Sequence, residues 1–284
     1  MNFQTPPHQI GLATPFSISD QYQQLGRPLV MGIVNITPDS FSDGGKFRHA
    51  EAAIAQAKKL RDEGADLIDI GGESTRPGAA AVTLEEELDR VIPVLTALVK
   101  DGIAVSVDTQ KTEVMRAAIQ AGAVLINDVN ALQADGALAV CAASQVTVCL
   151  MHRQGQPQTM QHDPQYQDVV KEVSHYLMQR ASACESAGIQ PSRIVIDPGF
   201  GFGKTAEHNF TLLRHLPELA ASKYPVLVGF SRKSSLGAVT GRAVDDRLAA
   251  SLAVAMLAAQ RGASIVRVHD VKETIDALKI LSVS

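Results

Sequence analysis

The chain has 284 residues, of which 45% are hydrophobic and 20% charged, and its net charge is −4. This composition supports a large core and excludes a disordered or fibrous chain. The weak negative charge excludes a global field that would draw the chain to nucleic acid or anionic lipid. Three cysteines, an odd count with no C-x-x-C pair, exclude a disulfide framework and a thiolate metal site. Buried, reduced thiols and a cytoplasmic protein are expected. The N-terminal residues have neither a basic start nor an apolar run, so they do not read as a signal peptide. The longest apolar stretch, around Leu248 to Ala259, is too short to cross a bilayer.

Residues 1–28 precede the first strand and read as an extension covering the bottom of the domain. Short apolar runs then alternate with helical patterns. The runs are LVMGIV (29–34), DLIDI (66–70), IAVSV (103–107), VLI (124–126), VTVCLM (146–151), RIVI (193–196), PVLVG (225–229) and SIVRV (264–268). They are nearly continuous rather than alternating, as strands covered on both faces are. Between them, AEAAIAQAKKLRDEG (50–64), LEEELDRVIPVLTALVKDG (84–102) and DDRLAASLAVAMLAAQRG (245–262) repeat apolar residues at helical spacing. Gly64, Gly122 and Gly262 stand where a helix ends in a left-handed residue before the next strand. The pattern predicts a single-domain α/β fold, a (β/α)8 TIM barrel over residues 1–284. An open doubly wound sheet is the alternative, but it needs fewer strands or a second domain.

In such a barrel, chemistry sits where strands end and the following loops begin. Nearly every run stops at a polar residue: Asn35; Glu73 to Arg76; Asp108; Asn127 and Asp128; His152 after Met151; Asp197; Ser231 to Lys233; Arg267 and His269. Solvent at strand ends explains one or two of these but not the whole set. Asp108, Asn127, Asp197 and Lys233 suit a flat heterocycle with an amide edge and an exocyclic amine. Arg267, His269, Arg76, Thr75 and Asn35 supply donors for a phosphate. The loops at 35–47 and 72–81 are rich in turn residues and read as lids.

Other motifs fail. DPGFGFGKT (197–205) resembles a phosphate loop, but Pro198 stands where Walker A needs glycine, and Lys204 stands where a dinucleotide fingerprint needs its third glycine. No H-E-x-x-H occurs. A Schiff base on Lys233 stays open beside anion binding.

The strings MGIVNITPDSFSDGG (31–45), DIGGESTRPG (69–78), SVDT (106–109), INDV (126–129), MH (151–152), DPGFGFGK (197–204), GFSRKS (229–234) and RVHDV (267–271) resemble the dihydropteroate synthase family of the folate pathway. The resemblance implies a transferase. In its reaction the amine of 4-aminobenzoate displaces diphosphate from 6-hydroxymethyl-7,8-dihydropterin diphosphate, giving 7,8-dihydropteroate. It implies that Asp108, Asn127, Asp197 and Lys233 form the pterin pocket, with Met151 on the ring. It implies Asn35 as a Mg2+ ligand, with Thr75, Arg76, Arg267 and His269 around the diphosphate. Phe41, Pro77, Phe202, Lys233 and Ser231 resemble a 4-aminobenzoate site. Asp108, Asp197, Lys233, Arg267 and His269 are the candidate catalytic residues. The resemblance also implies a homodimer; if 4-aminobenzoate binds between the two loops, a sulfonamide of similar shape is expected to compete with it. A folate-dependent methyltransferase barrel would share the pterin residues but not the diphosphate set. A non-catalytic pterin binder would show losses in that set, and none is seen.

Overall fold

The computed structural model describes residues 16–36, 46–74, 81–155 and 160–283, the side chains of 46–48 excepted. Its eight strands are β1 (Leu29–Asn35), β2 (Leu67–Gly71), β3 (Val105–Asp108), β4 (Leu125–Asp128), β5 (Thr147–Met151), β6 (Ile194–Asp197), β7 (Leu227–Val228) and β8 (Ile265–Val268). All neighbours are parallel, in the order β6-β5-β4-β3-β2-β1-β8-β7. A bridge between Ile196 and Val226, with Ile196 N–H donating to Pro225 O at 3.0 Å, brings β6 against the start of β7. The expected (β/α)8 barrel is therefore the fold, and the open doubly wound sheet is excluded.

Helices cover the outside. They are α1 (Ile18–Leu25), α2 (Lys46–Asp62), α3 (Leu84–Lys100), α4 (Thr112–Gln120), α5 (Ala137–Ala142), α6 (Val169–Ser186), α7 (Ala206–Arg214), α8 (Leu216–Ala220), α9 (Ser234–Thr240), α10 (Leu248–Gln260) and α11 (Val271–Leu281). α3 shows why the sequence folds so. Thr83 and Glu86 form a capping box, three glutamates lie in the first turn, and Val91, Val94, Leu95 and Leu98 bury one stripe. Gly64, Gly122 and Gly262 take positive φ at helix exits, as expected.

Strand alternation divides the core in two. Odd-numbered β1 residues and their counterparts point inward. Leu29, Met31, Leu67, Leu125, Cys149, Val195, Leu227 and Ile265 form one inner cluster, and Ile18 of α1 packs into it. The alternate residues, among them Val30, Ile68, Val107, Ile126, Val148, Ile196 and Val266, belong to the larger cluster between sheet and helices. Gly32 lies on that outer face, where a Cβ would come within 3.1 Å of Leu60 and Val271, so helix packing selects glycine there. Cys141, Cys149 and Cys184 are buried free thiols. Burial pushes the Cys141 thiol up to about 12 and that of Cys184 up to about 11. Among the described residues, no helix is long and apolar enough to cross a membrane.

Candidate functional site

The inward parity that gives the apolar cluster continues upward into a polar layer. Register pairs Asn35 with Gly71, Gly71 with Asp108, and Asp108 with Asn127, so these four form one row across four strands. Met151 pairs with Asp197 on the next two strands, and Arg267 lies two residues above Ile265 on β8. Each polar side chain thus replaces what would be the next apolar layer, at the end where the loops begin.

A charged network sits at the floor of this layer. Arg267 donates from Nε to Asp69 Oδ2 at 2.6 Å and from Nη2 to Asp108 Oδ2 at 3.0 Å. Asn127 Nδ2 donates to the same Asp69 oxygen at 3.2 Å. Asp69 Oδ1 is buried without a hydrogen-bond partner. Burial pushes the Asp108 carboxyl up to about 7, opposed by Arg267 and reinforced by Asp69. Burial also works against the Arg267 charge, but Asp69 and Asp108 outweigh it and hold the guanidinium above its ordinary pKa. Two carboxylates facing one guanidinium leave hydrogen-bonding capacity for a ligand with adjacent N–H groups.

The second part lies on β5, β6 and the loop after β7. Asp197 Oδ1 accepts from Gly199 N–H at 2.7 Å, and burial raises its pKa against the opposing charge of Lys233. Lys233 donates to Phe200 O, and its Nζ stands 4.7 Å from the centre of the Phe202 ring. Burial pulls its ammonium down to about 8, with Asp197 holding it up. Met151 is buried beside Asp197 in the same row. Phe200, beneath, stacks on Phe230 at 4.7 Å between ring centres and stiffens this wall. Ser231 Oγ and His269 Nδ1 lie 3.1 Å apart, and His269 N–H donates to the same hydroxyl at 3.3 Å.

Of the residues expected from sequence, Asp108, Asn127, Met151, Asp197 and Arg267 share the inward layer. Asn35 stands at its rim, and Phe202, Ser231, Lys233 and His269 line the adjoining loops. Phe41, Thr75, Arg76 and Pro77 lie outside the described residues, as do most of the two expected lid loops. Asp128 does not belong with Asn127. Its carboxylate accepts from Asn130 and Leu132 N–H, each at 2.7 Å, and holds a loop in which Ala131 and Leu132 take positive φ. Burial raises its pKa to about 6. Arg267 sits deeper than a purely phosphate-binding role suggests, because two of its nitrogens serve carboxylates. Asp69 was missed from sequence. A charged residue inside DLIDI, sharing the parity of Leu67, is the signal that could have found it.

This barrel, with an amphoteric layer of carboxylates, amide, arginine and lysine over an apolar plug at the carboxyl ends of its strands, has the layout of a barrel enzyme. The family pattern described as "Pterin binding enzyme" matches residues 31–269. A dihydropteroate synthase of Neisseria meningitidis serogroup B is 53% identical over 263 residues, covering 90% of this chain and 92% of its own. The structure of Xanthomonas albilineans dihydropteroate synthase with 4-aminobenzoic acid superposes with a TM-score of 0.86 at 56% identity, covering 91% of this chain and 93% of its own. Yersinia pestis dihydropteroate synthase in a sulfonamide drug complex gives 0.86 at 49%, covering 91% and 94%. The chain therefore belongs to the pterin-binding enzyme family. Within it the chain stands with the dihydropteroate synthases, transferases of folate biosynthesis.

Proposed function

We propose that this chain joins 6-hydroxymethyl-7,8-dihydropterin diphosphate to 4-aminobenzoate in the polar layer at the carboxyl ends of its strands. The observation that carries this reading is the continuous inward row of Asn35, Asp108 and Asn127, extended by Met151 and Asp197 and floored by Arg267. Asp197 and Asn127 take the amino and amide edge of the pterin, Asp108 the ring nitrogens, and Met151 one ring face. Lys233 lies between Asp197 and the Phe202 ring, so it borders both substrates. Phe41, Pro77, Phe202 and Ser231 are assigned to 4-aminobenzoate, and Thr75, Arg76, His269 and Arg267 to the diphosphate.

In the reaction the 4-aminobenzoate nitrogen forms a bond to the pterin methylene as the methylene–oxygen bond breaks. The electron pair leaves with the diphosphate, and the new amine loses a proton to solvent. Aniline nitrogen is weakly basic, so no strong general base is required. Asp108 and Asp197 at the edge of the ring share the positive charge that develops on the pterin, while Arg267 and His269 are assigned to the departing anion. Positioning of two bound substrates supplies much of the remaining rate.

For magnesium, the described residues contain no cluster of three or more His, Cys, Asp or Glu able to hold a metal ion. The donor present, the amide oxygen of Asn35 at the rim, fits an ion held mostly by substrate oxygens and water, which is the habit of magnesium. Bound there, magnesium would neutralise charge on the diphosphate. Turnover should disappear on chelation and return with added magnesium.

We also assign the chain as one domain, working in the cytoplasm as a homodimer; of the extension at 1–28, residues 1–15 lie outside the described residues, and Phe16, Ile18 and Tyr22 of the rest pack against the inner apolar cluster at the bottom of the barrel. The unpaired buried thiols support the compartment. α10 supports the dimer: Leu248 and Leu257 are exposed, and Leu257 shares a shallow groove with Phe210, Leu213, Val239, Arg214 and Arg261. The test of the activity is diphosphate release with both substrates, omitting each in turn. Release that needs both supports the proposal, and release without 4-aminobenzoate at the same rate overturns it.

A further inference from the structure

The loop after β6 carries a lysine that the reaction as described does not use. Lys204 is buried, with 2% of its surface exposed. Its Nζ donates to Gly199 O at 2.9 Å and Phe202 O at 3.1 Å. The same nitrogen lies 2.9 Å from His152 Nδ1 and 3.4 Å from His152 O. The sequence places it at the end of a string resembling a phosphate loop, but the side chain turns inward and spends its donors on protein. A buried ammonium is costly, and an apolar residue could fill the same space, so stability alone does not account for it.

What the ammonium joins is specific. His152 follows Met151 at the end of β5, whereas Gly199 and Phe202 belong to the loop that begins at Asp197. The two loops also touch through backbone. A Cβ at Gly199 would lie 1.9 Å from His152 O, and one at Gly203 would lie 2.3 Å from Gln154 O. Both glycines have positive φ, at 68° and 63°. Only glycine allows this approach, and the approach brings His152 O and Nδ1 of the one loop within reach of the lysine of the other. Burial pulls the Lys204 ammonium down to about 7, with Asp197 supporting the charge and Lys233 opposing it. Burial and Lys204 together hold the His152 ring neutral, its pKa pulled down to about 3, so Nδ1 can accept.

We propose that Lys204 is a positioning residue that ties the loops after β5 and β6 into one unit, fixing Met151 and Asp197 for the pterin and Phe202 for 4-aminobenzoate at the same time. The link to Lys233 runs through the same loop, because Lys233 donates to Phe200 O and rests over the Phe202 ring. This inference rests on the proposed function of the site. Releasing the tie frees both walls together, so the affinities for both substrates fall together.

The test uses the full chain with Lys204→Met, which keeps the stem and removes the donors, and Lys204→Gln, which keeps two N–H donors without charge. Folding is confirmed by circular dichroism and a cooperative melt. Calorimetry gives the Kd for 6-hydroxymethyl-7,8-dihydropterin, and steady-state kinetics give KM for 4-aminobenzoate and kcat. Lys204→Met should raise both constants about tenfold, or about 1.4 kcal/mol each, with Lys204→Gln between it and wild type. A lysine that only stabilises the barrel would lower the melting temperature and leave both constants alone. A folded Lys204→Met in which either constant, or both, changes by less than about threefold overturns the proposal. Should Lys204→Met fail to fold, the same threshold applied to Lys204→Gln decides. The wild-type arm separates the two claims. A wild type that neither binds the dihydropterin nor turns over refutes the proposed function, whereas a normal wild type with silent variants refutes only the role of Lys204.

Discussion

Arg267→Met replaces the guanidinium between Asp69 and Asp108 with an apolar side chain of similar length. Asp69 is fully buried, Asp108 nearly so, and their oxygens lie 2.6 and 3.0 Å from the arginine. Breaking a buried pair from one side costs about 3–5 kcal/mol, because a charge is left without its partner. Part of that cost is recoverable, since Asp108 can take a proton. Its folded pKa of about 7 lies above the ordinary 3.8. A carboxyl raised in this way lends stability that is complete below the unfolded pKa and is lost as pH rises through the folded one. Arg267 lowers that folded pKa, so the variant holds its proton to higher pH and its deficit widens between pH 6 and pH 9. We expect a loss of about 3 kcal/mol at pH 8, seen as a melting temperature roughly 6 °C below wild type, and a smaller loss at pH 6. Melting by differential scanning fluorimetry at the two pH values, without ligand, is the assay. A deficit that is equal at both pH values, or that shrinks as pH rises, would refute the reasoning.

Asp197→Asn should keep the fold, since Gly199 N–H still finds an oxygen, but should weaken dihydropterin binding by about tenfold or more, roughly the worth of one charge-assisted hydrogen bond; unchanged calorimetric affinity sinks the assignment. A sulfonamide carrying an aniline ring should compete with 4-aminobenzoate, because both present an aromatic amine opposite a polar group; inhibition that added 4-aminobenzoate does not relieve would remove Phe202 and Ser231 from that site. Leu257→Glu on α10 should shift the protein from dimer to monomer in light scattering, since a carboxylate cannot be buried there without a partner; an unchanged mass would move the interface elsewhere.

Much of this architecture is legible in the sequence because strand parity is simple. Once Leu29 and Met31 are known to face inward, Asn35 follows, and the same count gives Asp108, Asn127, Asp197 and Arg267. The site set takes Asn127 and leaves out Asp128, as the structure has it, but the loop-holding role of Asp128 is not legible, since its partners are backbone N–H groups of residues 130 and 132. Asp69 escaped because it lies inside the short run DLIDI, flanked by Ile68 and Ile70, and not at the strand end where site residues are expected. The role of Lys204 escaped because its partners are backbone carbonyls and the His152 ring of another loop, brought together by a close approach of two loops that composition does not record. β7 is only Leu227–Val228, shorter than PVLVG predicts, since Pro225 has no N–H to donate and Gly229 begins the turn towards Ser231.

The central claim, that the inward polar layer is where the pterin lies, is tested most directly by a crystal structure of this protein with 6-hydroxymethyl-7,8-dihydropterin diphosphate. The account predicts the ring against Met151, with Asp197 and Asn127 on its amino and amide edge, Asp108 on its ring nitrogens, and the diphosphate towards His269. A ring bound outside the barrel mouth, or one that leaves Asp197 and Asn127 without contact, would contradict it.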